Sequence, residues 1–370
     1  MKKTFAILLA LLLFTTFVLS GCSNNGDQPS GDASGDEIVL WFVTSGSRGD
    51  HGTADATWQG LEELASKHSN LQVNILEAGK DQSLYEAQFL EILDSGCDIF
   101  TCSANYSMAD LVGQYVDDYP DTTFWFTDLN TEFVFPGTSG NCAGMLFKQN
   151  EVMFMAGVLN AKMSETGILG FVGGMESTVI CDFGAGYIDG ATYVNPDCKI
   201  IFSFVGDFND SAKGKELALI QYNMGADIVH AVAGTAGLGV LEAAAEVDKW
   251  TMGVDYDQRA KFLAEGNQAI ADKILSSSMK MWANAVTLFV ERYINDYDSI
   301  QWGVVEQWGL KEGGVGLCKN DYYKEMVPAD IQAYVDEIEQ KIISGEIVPK
   351  TAMGMSTEEW AEYKDTVALN

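Results

Sequence analysis

Short apolar runs of strand length alternate with helical stretches along this chain, and the pattern predicts an α/β fold with parallel sheets covered by helices on both faces. Two further observations refine that class. The run Ile168 to Val172 stops at Gly173 and Gly174 and passes directly into a helical pattern, as a βα unit does. The alternation also restarts after a long helix over Glu151 to Met163, which predicts two successive doubly wound lobes. No sequence repeat relates the two halves.

The 370 residues are enough for two domains, and 47% hydrophobic content supplies a sizeable core. There are 22 basic residues against 53 acidic ones, a net charge of −31. That excess repels phosphate backbones and anionic surfaces, so nucleic acid is excluded as a partner, and it reads as a solvated surface. Seven cysteines occur without a Cys-x-x-Cys pair, and only His51, His68 and His230 accompany them. This composition argues against a zinc site, and no cofactor is expected. Six of the cysteines sit in apolar or small-residue surroundings and read as buried thiols, with a disulfide left open.

At the start, Lys2 and Lys3 precede an apolar run from Phe5 to Leu19, followed by Leu19-Ser20-Gly21-Cys22. Residues 1–21 therefore read as a signal peptide, too short for a stable membrane span. The last four residues resemble the bacterial lipobox. That resemblance implies cleavage before Cys22, acylation of its thiol and new amino group, and anchoring on the extracytoplasmic face of a cell membrane. A plain signal peptide with an incidental cysteine is the competing reading. Polar residues without periodicity follow to Asp36, so 22–37 reads as the lipidated cysteine and a flexible tether.

The elements then come in order. Strands are expected at Ile38 to Val43, Leu71 to Leu76, Asp98 to Cys102, Phe124 to Thr127 and Cys142 to Phe147, with helices between them. The second set is Ile168 to Val172, Lys199 to Val205, Asp227 to Ala233 and Trp250 to Val254. Lys273 to Ser278, Glu306 to Leu310 and Val315 to Leu317 read as later strands, and Ala283 to Tyr293 and Ile331 to Ile343 as helices. Lobe 1 is drawn as 38–148 plus 258–298 and lobe 2 as 149–257 plus 299–350, with 351–370 a surface tail.

The stretch from Gly170 to Gly190 carries a family resemblance. Gly173-Gly174-Met175-Glu176 and Phe183-Gly184-Ala185-Gly186-Tyr187 resemble the signature of the basic membrane protein (BMP) family, the substrate-binding lipoproteins of bacterial ABC importers, several of which bind purine nucleosides. Asp182 stands where a basic residue is usual, and Gly184 where an acidic one is usual. Phe147, Glu151, Ala156 and Gly157 match a second family segment, and Gly345 to Pro349 matches the family's ending. The resemblance implies a type I periplasmic-binding-protein fold, three crossings between lobes and an ABC permease as partner.

Candidate ligand residues follow from strand ends and from the resemblance. In open α/β sheets ligands bind beyond the carboxyl ends of strands. Asn105 and Tyr106, Asp128, and Met175 stand at such ends. Asp255, in Gly253-Val254-Asp255-Tyr256-Asp257-Gln258, can accept two hydroxyl hydrogen bonds from a ribose diol or serve as a helix N-cap. The resemblance implies the sugar contact. It also implies a ligand contact for Lys280, after Ser276-Ser277-Ser278-Met279, and a glycine-rich turn through Gly234, Gly237 and Gly239. His230 replaces a family aromatic, so its ring either stacks on a base or is a satisfied core histidine. Phe208 faces the cleft or the core, and core is the preferred reading. In the first loop Ser45 replaces a family Asp, Asp50 fits the second Asp, and Thr53 replaces the stacking Phe. Trp58, Tyr106 and Trp125 are candidate substitutes.

Nothing here reads as an enzyme: there is no Gly-x-Ser-x-Gly, no His-Glu-x-x-His and no P-loop. The expected function is capture of a small molecule, nucleoside-like by resemblance, with lobe closure and transfer to a permease. The alternative is the same fold sensing or importing another small molecule.

Overall fold

Two six-stranded sheets carry the chain in a computed structural model that describes residues 37–44, 48, 52–79, 81–103, 106–129 and 140–369. The signal peptide, Cys22 and most of the tether lie outside the described residues. The first sheet begins with β1 (Ile38–Thr44), α1 (Thr53–Lys67), β2 (Leu71–Glu77), α2 (Tyr85–Asp94), β3 (Ile99–Ser103), α3 (Tyr106–Tyr115), β4 (Thr123–Thr127) and β5 (Cys142–Phe147). The second follows with α4 (Gln149–Met163), β6 (Ile168–Gly173), α5 (Thr178–Val194), β7 (Lys199–Phe204), α6 (Ser211–Asn223), β8 (Ile228–Val232), α7 (Ala236–Val247), β9 (Trp250–Asp255), α8 (Gln258–Ala264), α9 (Gln268–Ala271) and β10 (Ile274–Lys280). Then come α10 (Trp282–Asn295), β11 (Val305–Trp308), β12 (Val315–Leu317), α11 (Asp321–Met326), α12 (Ala329–Ser344) and α13 (Thr357–Asp365).

The strand orders are β11-β5-β4-β3-β1-β2 and β12-β10-β9-β8-β6-β7. Neighbours pair in parallel, except that β12 runs against β10. Taking β6 as the counterpart of β1, the two orders coincide, so the fold repeats although the sequence does not. Central strands β3, β4, β5 and β8 are buried at every residue, which is why they read as continuous apolar runs rather than alternating ones.

The glycines of the signature helix and of its neighbour turn out to be packing residues. A Cβ at Gly157 of α4 would collide with the backbone of Tyr187 on α5. Cβ atoms at Gly186 and Gly190 of α5 would collide with the backbones of Asn150 and Phe154 on α4. The two helices therefore touch backbone to backbone, a contact that only glycine permits. Tyr187 is fully buried and accepts a hydrogen bond from Asn160 at 2.8 Å.

Sheet membership corrects the lobe boundaries drawn from sequence. β10, placed with lobe 1 in 258–298, belongs to the second sheet, and β11, placed with lobe 2 in 299–350, belongs to the first. The chain crosses at Lys148, at Met281, and between Trp308 and Val315. The first two crossings are single residues with no linker composition to mark them. They are tied together: Lys148 N donates to Trp308 O at 2.9 Å, and Met281 N to Gly314 O at 2.8 Å. Glu151, at the start of α4, accepts from Leu310 N at 2.8 Å and from Lys148 Nζ at 2.5 Å.

The reading of 351–370 as a surface tail is also overturned. Ala352, Trp360 and Val367 are buried in the core of the second lobe, and Val367 O accepts from Ile200 N on edge strand β7 at 2.9 Å. Cys97, Cys102, Cys142, Cys181, Cys198 and Cys318 are buried thiols. Burial pushes Cys97, Cys181 and Cys318 up to about 12, so they stay protonated and unreactive near neutral pH.

Candidate ligand site

The parallel strands of each sheet end at one edge, and the candidate residues fall there one per strand. Along the second sheet these are Lys280 at the end of β10, Asp255 at the end of β9, Gly234 after β8, Gly174 and Met175 after β6, and Phe208 after β7. Along the first sheet, Phe147 ends β5 and Asp128 follows β4. Ser45, Asp50 and Asn105 lie outside the described residues. Tyr106 opens α3, and its side chain lies outside them too.

One ion pair joins the two edges. Lys280 Nζ sits 2.7 Å from Asp128 Oδ2, with the side chains 4% and 7% exposed. The rings of Phe183, Phe147 and Trp282 surround the ammonium, with centroids at 5.0, 5.4 and 5.5 Å. Their faces and the carboxylate compensate the charge in a dry setting. Asp128 Oδ1 and Trp282 Nε1 are buried without a hydrogen-bond partner among the described residues. They are a buried acceptor and a buried donor that the described residues leave unsatisfied.

Asp128 and Asp255 share an uncommon backbone. Their φ values are 62° and 67°, and the one other described non-glycine residue above zero, Asp248, closes the carboxyl end of α7. Left-handed backbone at a strand end turns the chain sharply away, and it is strain of the kind that concentrates at ligand sites. The helix-cap reading of Asp255 fails. Asp257 caps α8 by accepting from Ala260 N at 3.0 Å. Asp255 is half-buried at the carboxyl edge of its sheet.

His230 is a core histidine. It is fully buried, its Nε2 lies 3.0 Å from Gly253 O and 2.9 Å from Ser278 Oγ, and its ring meets Tyr187 edge-on at 5.5 Å. No ring face is left for a base. Burial pushes its pKa down to about 3, so it is neutral, and Gly253 O fixes the proton on Nε2. Trp125 is likewise spent, stacked on Phe289 at 4.4 Å and 8° in the core. Trp58 is half-buried under the Arg48 guanidinium, 5.2 Å from the ring centroid.

Phe208 goes the other way. It is 37% exposed, and its ring lies against Gly174, where any Cβ would collide with it. Gly234 (φ 55°) turns the chain beneath it, and Ala236 N donates to Phe208 O at 2.9 Å. Met175 beside this turn is 46% exposed. The sequence signal for Phe208 was the pair of glycines it covers, which are distant in the chain. Asp128's partner was equally hidden, 152 residues away.

These edges define a two-lobed ligand-binding protein of the type I periplasmic-binding fold. A solute-binding protein of an ABC transporter system from Aeropyrum pernix matches with a TM-score of 0.72, 20% identity, and coverage of 90% of this chain and 100% of that one. An arabinose-binding protein, AraP, from Geobacillus stearothermophilus matches at 0.57 and 14%, covering 79% and 100%. At these identities the likeness shows the fold.

The chain belongs to the Bmp family, the PnrA-like ABC transporter substrate-binding proteins, whose family model matches residues 38–352. "Basic membrane protein A2" of Borrelia garinii subsp. bavariensis is 29% identical over 344 residues, 92% of this chain and 95% of that protein. "ABC transporter nucleoside-binding protein BmpA" of Lactococcus lactis subsp. cremoris is 28% identical over 356 residues, 92% and 99%. The chain is thus an ABC transporter substrate-binding protein, acting outside the cytoplasm with a small-molecule ligand and a permease, and not an enzyme. No described helix is long and apolar enough to cross a membrane.

Proposed function

We propose that this protein captures a purine nucleoside between the carboxyl edges of its two sheets and delivers it to a permease, held at the membrane by acyl chains on Cys22. The observation that carries the proposal is Asp255: a carboxylate fixed in left-handed backbone at the end of β9, with the capping of α8 left to Asp257. Such a group accepts both hydroxyls of a ribose. Lys280 beside it, on the adjacent strand, supplies a donor. Phe208 offers an exposed ring face for the base, and Asp128 Oδ1 an acceptor for a base N–H. Ser45, Asp50, Asn105 and Tyr106 are proposed from the sequence as further ligand contacts, and Met175 and Gly234 from the turns after β6 and β8. The nucleoside-binding relative supports the same ligand class.

A thermal-shift screen of residues 23–370 against purine and pyrimidine nucleosides, free bases and sugars tests this, since a ligand that binds only the folded state raises the midpoint. A shift is expected with a purine nucleoside. A shift with a sugar and none with any nucleoside would move the protein to another small molecule. For the anchor, Cys22→Ala is expected to release the protein from the membrane fraction, and retention there would contradict acylation.

A further inference from the structure

The carboxyl-terminal segment from Thr351 on is fastened to the signature helix at the two places where the signature departs from pattern. Asp182, 1% exposed, accepts from Thr351 Oγ1, from Ala352 N at 2.9 Å and from Gln149 Nε2 at 2.5 Å. Gly184 leaves the space that Trp360 fills, since a Cβ there would stand 2.6 Å from Trp360 Cη2. A basic side chain at 182 would face these donors, and an acidic one at 184 would displace the indole. The departures and the carboxyl-terminal segment therefore fit one another. α13 itself is well started, with a capping box between Ser356 and Glu359.

The segment then reaches the ligand edge. Trp360 Nε1 donates to Glu176 Oε1 at 2.9 Å, and Lys364 Nζ donates to the same oxygen at 2.6 Å. Lys364 is held in turn over the rings of Phe204 and Trp360, at 5.2 and 5.7 Å. Burial raises the Glu176 carboxyl, but the two hydrogen bonds and the Lys364 charge outweigh it, and the group stays below its ordinary range. Glu176 ends the turn that carries Gly174 and Met175. Gly174 N bonds to Val232 O at 3.0 Å, Gly206 N bonds to Gly174 O at 2.7 Å, and the Phe208 ring lies on Gly174. One continuous path of contacts thus runs from α13 through Glu176 and the glycine turn to Phe208.

We propose that Trp360 and Lys364 are positioning residues of the ligand site, holding Glu176 and with it the 173–177 turn on which Phe208 rests. The inference depends on reading Phe208 and Met175 as ligand-facing. Its physical content is pre-organisation: a turn held before the ligand arrives does not have to be ordered by it.

The test uses the full mature chain with Lys364→Met, and separately with Trp360→Phe, each of which keeps apolar packing and removes one donor to Glu176. Amide hydrogen exchange of residues 174–177 is expected to quicken about tenfold in each variant, with core amides of β6 and β8 unchanged. Affinity for the purine nucleoside that wild type binds best is expected to fall about fivefold. Glu176→Gln combined with Lys364→Met is expected to give no further loss, because both remove one contact. Unchanged exchange at 174–177 overturns the proposal, as does faster exchange with unchanged affinity. Should wild type bind no nucleoside, the nucleoside reading fails on its own, and the exchange measurement, which needs no ligand, still decides whether the turn is held from α13.

Discussion

Asp128 and Asp255 occupy matching places in the two lobes and have different surroundings. Each stands at the carboxyl end of the third strand in its sheet order, and each has left-handed backbone. Asp128 is buried and bonded to Lys280 from the opposite sheet. Asp255 is half-buried at the edge of its own sheet. The fold thus provides the same strained carboxylate twice, once buried in an ion pair between the sheets and once half-buried at a sheet edge. Lys280 itself corresponds to Phe147, since Asp255 pairs with Met279 just as Thr127 pairs with Met145 one residue earlier. An ammonium in one lobe therefore takes the place of a ring in the other, and the ring packs against it.

Removing either partner of the buried pair should separate the two aspartates most sharply. Asp128→Asn leaves a buried ammonium without its carboxylate, and is expected to cost about 3–5 kcal/mol of stability by chemical denaturation. The double variant Asp128→Asn with Lys280→Met should recover most of that loss, because a neutral pair of similar volume carries no unpaired charge. Asp255→Ala, by contrast, is expected to cost less stability than Asp128→Asn and to weaken nucleoside binding about 100-fold, as loss of charge-assisted hydrogen bonds to two hydroxyls predicts. Equal stability losses in the two aspartate variants would erase the distinction.

A smaller effect belongs to the second lobe alone. His230 is neutral in the folded protein, with its pKa lowered to about 3 from 6.5. Its contribution is therefore fully present above pH 6.5 and is lost as the pH falls from there toward 3, since the unfolded chain binds the proton first. The loss amounts to about 2 kcal/mol at pH 5. Denaturation of wild type and His230→Gln at pH 7 and pH 5 checks the sign: the variant starts less stable and loses less. Smaller still, Phe208→Leu is expected to weaken nucleoside binding about tenfold, the stacking contribution of one ring, without moving the melting temperature by more than a few degrees.

Hydrophobic periodicity made the strands and most helices legible to within a few residues, because each strand end is set by where burial stops. Lobe membership was not legible. Lys148 and Met281 carry the chain between lobes in one residue each, so no glycine- or proline-rich linker marks the crossing. The ligand edge was half legible. Asp255 stands out by position and Lys280 only by the family resemblance, whereas His230 reads the same as a stacking ring or a core ring until Tyr187, Ser278 and Gly253 are seen around it. Phe208 was misread because its exposure depends on Gly174 and Gly234, which only the fold brings beneath it. The departures at Asp182 and Gly184 are visible in the sequence, but the residues they meet, Thr351 and Trp360, lie near the far end of the chain.

Calorimetric titration with the best-bound purine nucleoside and its 2′,3′-dideoxy counterpart, for wild type and Asp255→Ala, tests the central claim most directly. Wild type is expected to prefer the diol by about tenfold or more, and Asp255→Ala to bind the two alike and weakly. Diol binding in Asp255→Ala as tight as in wild type would show that the carboxylate at the end of β9 is not where the ligand is held.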